Sequence, residues 1–162
     1  MPKITIRKAV IEDAQTILGF VHQLAREEKA EQEVETNREQ LTKTLFGKEA
    51  TAHAVLCESD GIPMGHAIYF FNYSTWQGKN GLYIEDLYLS PDYRNSGAGK
   101  KIIAYLCGLA LEKDCGRVEW SVLDWNLPAI GFYDALGAKP QTEWIRYRLS
   151  GKPLKTLAND RQ

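Results

Sequence analysis

Two hydrophobic periods divide the chain into strands and helices. Runs in which apolar and polar residues alternate predict strands at about residues 3–8, 51–58, 64–73, 81–89, 118–122 and 142–149. Runs with apolar residues every three or four positions predict helices at about 12–25, 36–46, 97–113 and 128–136. We therefore expect a single α/β domain over residues 1–150, followed by a polar tail at 151–162.

The alternation breaks within the fourth predicted strand. Leu82 and Ile84 share one parity, whereas Leu87 and Leu89 share the other. Because successive side chains of a strand point to opposite faces, this change predicts one extra residue, a β-bulge, near Glu85–Leu87. A bulge at this point would leave backbone groups unpaired and open to a ligand.

The loop after this strand carries a phosphate-binding pattern. Arg94, Gly97 and Gly99 fit R-x-x-G-x-G, just before a strongly amphipathic helix. The free N–H groups and the positive end of such a helix favour a phosphate or pyrophosphate. The spacing is neither that of a P-loop nor that of a Rossmann fingerprint. These mismatches argue against nucleotide hydrolases and dehydrogenases and leave a pyrophosphate cradle after the fourth strand.

Composition removes several other classes of function. The 162 residues carry a formal net charge of −1, so no overall basic field exists to attract nucleic acid. No apolar run approaches the ~18 residues that a membrane span needs. Three cysteines without CxxC spacing indicate reduced thiols and a cytoplasmic location. His22, His53 and His66 are scattered without metal-ligand spacing, so no metal is predicted.

Two longer strings carry a family resemblance. YIEDLYLSPDYRNSGAGKKII contains the [Q/R]-x-x-G-x-[G/A] signature of the GNAT superfamily of acetyl-CoA-dependent N-acetyltransferases. Together with VLDWNLPAIGFYDALGAK it resembles the branch that acetylates spermidine/spermine (diamines) and thialysine. The resemblance covers about residues 3–150 and implies a GNAT fold with four helices and a mixed sheet of six to seven strands, splayed between strands 4 and 5. Asn95 stands where many relatives carry glycine, at a position the signature leaves open.

The resemblance also implies how acetyl-CoA is held. Backbone amides of the loop would meet the pyrophosphate, and the pantetheine arm would pair along the end of the fourth strand. Asn126 would touch this arm, although a residue that only satisfies backbone groups at a helix start is the alternative. The implied acetyl-CoA contacts are Leu87, Tyr88, Leu89, Arg94, Asn95, Ser96, Gly97, Ala98, Gly99, Lys100, Asn126 and Tyr133.

The resemblance implies that two side chains transfer protons during the reaction. Tyr133 would protonate the CoA thiolate, since a phenol with a pKa of ~10 is protonated at neutral pH. Its position on an apolar helical face also fits an ordinary core tyrosine. Glu85 would take a proton, through water, from an amine that is almost wholly protonated at pH 7. The amine would attack directly, with the backbone N–H near Leu87 stabilising the oxyanion.

Acidic residues suggest the class of acceptor. Glu27 and Glu28 end the first helix near the position where relatives bind the amine, and Asp86 adjoins the base. With Trp76 packing on an aliphatic chain, these groups favour a small di- or polycation. The run of glutamates is equally explained as a solvated helix end, and Trp76 as a loop anchor. Polyamine relatives often carry an acid just before this tryptophan, whereas this chain has Ser74 and Thr75. The difference weakens the assignment to spermidine and leaves diamines and thialysine-like amino acids open.

The expected function is therefore transfer of an acetyl group from acetyl-CoA to a primary amine, and the acceptor that we expect first is a small polyamine or diamine. An enzyme that acetylates a protein N-terminus or lysine and a non-catalytic acyl-CoA sensor are the alternatives. The resemblance further implies a homodimer with exchange of an edge element.

Overall fold

The computed structural model describes residues 1–161, which form five strands and five helices. The strands are β1 (Ile4–Lys8), β2 (Ala52–Ser59), β3 (Ile62–Ser74), β4 (Lys79–Leu89) and β5 (Val118–Trp120). The helices are α1 (Ala14–Glu27), α2 (Arg38–Phe46), α3 (Ala98–Glu112), α4 (Leu127–Ala135) and α5 (Gly151–Ala158). None of these helices is both long and apolar enough to span a membrane. The chain divides into two compact units, Met1–Asn126 and the residues from Leu127 onward.

The first unit is built on one mixed sheet in the order β1-β2-β3-β4-β5. The first four strands pair antiparallel, and β5 runs parallel to β4. Neighbouring residues of β2 belong to opposite faces, since Val55 packs with Ile102 of α3 and Leu56 with Phe20 of α1. Thus α3 covers one face of the sheet, while α1 and α2 cover the other.

The bulge predicted from the parity break is confirmed. Ile68 of β3 pairs with Asp86 and the next residue, Tyr69, pairs with Ile84, so Glu85 is the extra residue. The shift keeps Leu87 and Leu89 against the α3-side core that also contains Ile84. Apolar burial on one face of β4 therefore continues across the bulge.

The pairing of β4 with β5 is short. It runs from Leu82, opposite Val118, to Ile84, opposite Trp120. Within residues 1–161, β4 continues through Leu89 with no further strand pairing on that edge. The free edge begins at the bulge.

The strand predicted at 142–149 is wrong, and the sheet has five strands rather than six to seven. Residues 144–150 form no regular element, and Trp144 and Tyr147 are 67% and 92% exposed. Alternation creates a strand only where a ladder partner is present, and the described residues supply none for this segment.

Four helices were predicted, and α5 is the fifth. It lies in the segment expected to be a polar tail. Leu154 and Leu157 recur at helical spacing, and Pro153 stands in the first turn, where a helix tolerates proline. The division of the chain into an acetyltransferase domain and a tail stays a prediction.

A partly buried group of three charges fixes the start of α1 on the sheet. Arg7 of β1 donates to the Asp13 carboxylate at 2.8 and 3.1 Å and to Glu58 of β2 at 2.7 Å. Asp13 also accepts the Val10 N–H at 2.7 Å. Hydrogen bonding to Arg7 holds the pKa of Asp13 below its usual range.

Candidate active site

The bulge in β4 exposes one carboxylate and half-buries the next. Glu85 is solvent-exposed, whereas the side chain of Asp86 is 27% exposed. Burial, and then the charges of Glu85 and Glu28, raise the pKa of Asp86 to about 6. Glu28, at the end of α1, is exposed as a residue, but partial desolvation of its carboxyl group and the charge of Glu27 raise its pKa as well. These three carboxylates, Glu28, Glu85 and Asp86, form an acidic cluster that is suited to a cation.

A histidine to which the sequence assigned no role lies behind this cluster. His66 of β3 is fully buried, and its Nε2 atom is 3.9 Å from Oδ2 of Asp86. Neither ring nitrogen has a hydrogen-bond partner among the described residues, and the ring packs edge-on against Phe20 at 5.5 Å. Burial lowers the pKa of His66 to about 3, so the ring is neutral. The only sequence signal was a polar ring within a mostly apolar strand.

The loop before α3 has the geometry of an anion cradle. Asn95 and Gly97 are in the left-handed region, with φ of 61° and 85°. The first helical bond of α3 runs from the Lys101 N–H to the Gly97 carbonyl at 3.1 Å. The amides of Ala98, Gly99 and Lys100 therefore have no carbonyl of their own helix to bind. A Cβ atom at Gly97 would meet nothing within 4 Å, so the approach to these amides is open, as a pyrophosphate needs.

Arg94 connects this loop to the end of β4 and to α1. Its guanidinium donates to the Leu89 carbonyl at 3.0 and 2.8 Å and to both carboxylate oxygens of Glu27 at 2.8 Å. The residue predicted to contact acetyl-CoA and one predicted to contact the amine are thus paired with each other. The charge of Glu27 is therefore already balanced by a cation of the protein itself.

The predicted pantetheine strand offers its backbone edge. Leu87 and Leu89 pack against the core, and Tyr88 is buried with its hydroxyl donating to Gln23 at 2.7 Å. These three side chains pack within the protein and are not available to a ligand. A ligand that follows this stretch would meet main-chain N–H and C=O groups, as an added strand does.

Trp76 and Asn126 lie outside both the bulge of β4 and the loop before α3. Trp76 is 87% exposed in the turn between β3 and β4. Glu85 lies six residues beyond the first residue of β4, or ~20 Å at ~3.3 Å per residue, so the turn is distant from the acidic cluster. Asn126 is half-buried, and its N–H donates to the Leu123 carbonyl at 3.0 Å.

Tyr133 lies on α4 in the second unit. It is half-buried, and its ring packs against Phe132 at a centroid distance of 5.5 Å. The assignment of Tyr133 as the acid stays a prediction, as do the roles of Trp76 and Asn126.

Comparison with known families decides the identity of the chain. The model of the acetyltransferase (GNAT) family matches residues 12–138, a range that includes the acidic cluster and the cradle. The chain belongs to the GNAT family. The resemblance found in the sequence is therefore confirmed, and this GNAT protein is an acyl-transferring enzyme.

Individual relatives resemble this GNAT enzyme over most of its length. Thialysine N-epsilon-acetyltransferase of Bos taurus is 37% identical over 169 residues, which cover 98% of this chain and 99% of the relative. The spermidine/spermine N(1)-acetyltransferase-like protein 1 of Homo sapiens is 27% identical over 98% of this chain and 24% of its own length. An integron cassette protein from the mobile metagenome of V. cholerae shares the fold with a TM-score of 0.80, at 22% identity, covering 96% of this chain and 97% of its own.

The raised pKa of Asp86 predicts a pH-dependent stability change in Asp86→Asn. The folded protein binds the proton more tightly than the unfolded chain, where the pKa is near 3.8. Ionised Asp86 therefore destabilises the fold above about pH 6, and this effect disappears below pH 3.8. We expect the substitution to raise the free energy of unfolding by up to ~3 kcal/mol at pH 7.5 and by less than ~1 kcal/mol at pH 4.

Urea denaturation at both pH values measures this difference. The exposed Asp92→Asn variant serves as the matched control and should show no such dependence. An equal change in Asp86→Asn at the two pH values would contradict the prediction.

Proposed function

We propose that this GNAT enzyme moves the acetyl group of acetyl-CoA to the side-chain amine of a thialysine-type diamino acid, an amino acid with a second amine at the end of its side chain. Diamines and polyamines are the second candidate. The observation that carries the proposal is the acidic cluster at the β4 bulge, beside the free edge of the strand. A cluster of carboxylates favours a protonated amine, and the edge can accept an extended ligand.

The donor would be held mainly by backbone groups. The amides at the start of α3 would bind the pyrophosphate of acetyl-CoA, helped by the positive end of the helix. The pantetheine arm would run along residues 87–89, where the pairing with β5 has ended. Arg94, tied to Leu89 and Glu27, would hold the loop in the shape that this requires.

The chemistry needs a proton acceptor and a proton donor. Exposed Glu85 would take the ammonium proton through water, after which the amine nitrogen attacks the thioester carbonyl. The C–N bond forms, and the Leu87 N–H would stabilise the oxyanion before the C–S bond breaks. The departing thiolate would take its proton from the hydroxyl of Tyr133, and the second proton that the nitrogen loses on becoming an amide would return to the phenolate through water. No covalent intermediate on the enzyme is required.

The pairing of charges around α1 favours an acceptor with one ammonium near the bulge. Arg94 neutralises Glu27, and Arg26 binds Glu31 at 3.0 and 2.8 Å. Fewer carboxylates are left for the successive charges of a polyamine than the sequence suggests. The 37% identity to a thialysine acetyltransferase supports the same choice. The clustering of three remaining carboxylates is what keeps diamines and polyamines as the second candidate.

A thiol-release assay tests the proposal. With acetyl-CoA and a panel of thialysine, lysine, ornithine, putrescine, spermidine and a basic peptide, we expect the highest kcat/KM for a diamino acid. A preference for spermidine would favour the second candidate, and a preference for the peptide would indicate a protein acetyltransferase. Binding of acetyl-CoA without release of CoA by any amine would identify a sensor.

The role of Tyr133 predicts a large kinetic effect of Tyr133→Phe. Loss of a general acid should lower kcat at least ~100-fold. Binding of acetyl-CoA, measured by calorimetry, should change far less than kcat, because the ring that contacts the cofactor is kept. Tyr73→Phe, at a tyrosine 63% exposed on β3, is the control and should keep full activity. A Tyr133→Phe enzyme with a nearly normal rate would return this tyrosine to a packing role.

We further propose that the enzyme forms a homodimer in the cytoplasm. Apolar side chains in the segment 144–149 are exposed, among them Ile145 at 79% and Tyr147 at 92%. Their strand-like alternation fits pairing with a sheet edge of a second copy. The thiols of Cys57, Cys107 and Cys115 are all free, which supports a reducing compartment.

Chromatographic sizing with light scattering tests the dimer. The native enzyme should elute at twice the chain mass, and Ile145→Glu with Tyr147→Glu should shift it to the monomer. A native monomer at micromolar concentration would refute the proposal.

A further inference from the structure

Some of the charged residues around the end of α1 form ion pairs with one another, and others do not. Arg26 is bound bidentately by Glu31, and Arg94 is bound by both oxygens of Glu27. Two arginines and two glutamates thereby neutralise one another. The acidic cluster and Lys29 take no part in these two ion pairs.

Lys29 is held in place without being neutralised. Its backbone is in the left-handed region, with φ of 60°, directly after Glu28. Its Nζ atom lies 4.6 Å from the centroid of the Trp125 ring. Over residues 1–161 no carboxylate lies within ion-pair distance of it. An aromatic face orients an ammonium but leaves its charge available to an anion.

The position of Lys29 connects it to the acidic cluster. Trp125 follows β5, whose pairing with β4 ends at Ile84, immediately before Glu85. Glu28, the residue before Lys29, acts electrostatically on Asp86. A cation and a cluster of carboxylates thus border the same region of the sheet edge.

This arrangement complements a molecule with an ammonium at one end and a carboxylate at the other. We infer that Lys29 binds the α-carboxylate of a diamino acid while the acidic cluster receives its side-chain ammonium. Lys29 is then the residue that distinguishes a diamino acid from the diamine of the same chain length. The inference rests on the proposed acetyl transfer to a diamino acid and adds to it the residue that selects this acceptor.

A purely structural role for Lys29, as an anchor on Trp125, predicts a different result. An anchor needs the stem of the side chain and its contact with the indole ring. Carboxylate binding needs the positive charge. Lys29→Met keeps an unbranched side chain that can pack on the ring but removes the charge, whereas Lys29→Arg keeps the charge.

Matched substrate pairs separate these roles. Lysine and cadaverine, like ornithine and putrescine, differ only in the carboxylate. We expect Lys29→Met to lower kcat/KM for the amino acid at least ~10-fold, mainly through KM, with little change for the diamine. Lys29→Arg should restore most of the preference. Lys48→Met, at an exposed lysine after α2, is the control and should leave both members of each pair unchanged.

A second test needs no altered protein. Lysine methyl ester, which lacks the negative charge, should be used by the native enzyme about as poorly as cadaverine. Equal losses for both members of a pair in Lys29→Met, no loss for either, or an ester used as well as lysine would each overturn the role of Lys29 while leaving acetyl transfer intact. Failure of the native enzyme to acetylate any amine would instead overturn the proposed function.

Discussion

The extra residue in β4 is the constraint on which the rest of the site depends. An ordinary strand would place Glu85 opposite a residue of β3 and would reverse the faces of everything after it. With the bulge, Leu87 and Leu89 remain in the α3-side core, and Asp86 turns toward the α1 side. The same point marks the end of the pairing with β5. One irregularity in the backbone thus positions two carboxylates and begins a free edge.

The end of α1 adds a third negative charge to the two carboxylates at the bulge. The end of this helix brings Glu28 to the two carboxylates of the bulge, and the mutual repulsion raises the pKa of Asp86 beyond what burial does alone. A half-buried charge of this kind lowers the stability of the empty protein, and a bound ammonium would offset the cost. The partly buried Arg7, which binds Asp13 and Glu58, holds the start of the same helix on the sheet.

Arg94 links the two halves of the proposed site. By binding Glu27 it removes one carboxylate from the acceptor side, and by binding the Leu89 carbonyl it fixes the loop that precedes the cradle. The net result is a smaller negative charge than the sequence suggests. Lys29, which has no ion pair in the described chain, adds a positive charge directly after Glu28. This balance is the basis for proposing a zwitterionic acceptor rather than a polycation.

The sequence by itself determined the features that short stretches encode. The parity of Leu82, Ile84, Leu87 and Leu89 predicted the bulge, because alternation along a strand is a local property. The R-x-x-G-x-G pattern predicted the start of α3, and the two longer strings predicted the GNAT family. Only the tertiary structure decided which distant groups meet. Arg94 reaches Glu27 across 67 residues, His66 lies against Asp86, and Lys29 stacks on Trp125. The strand predicted at 142–149 failed for the same reason, since its alternation is local but its ladder partner is not.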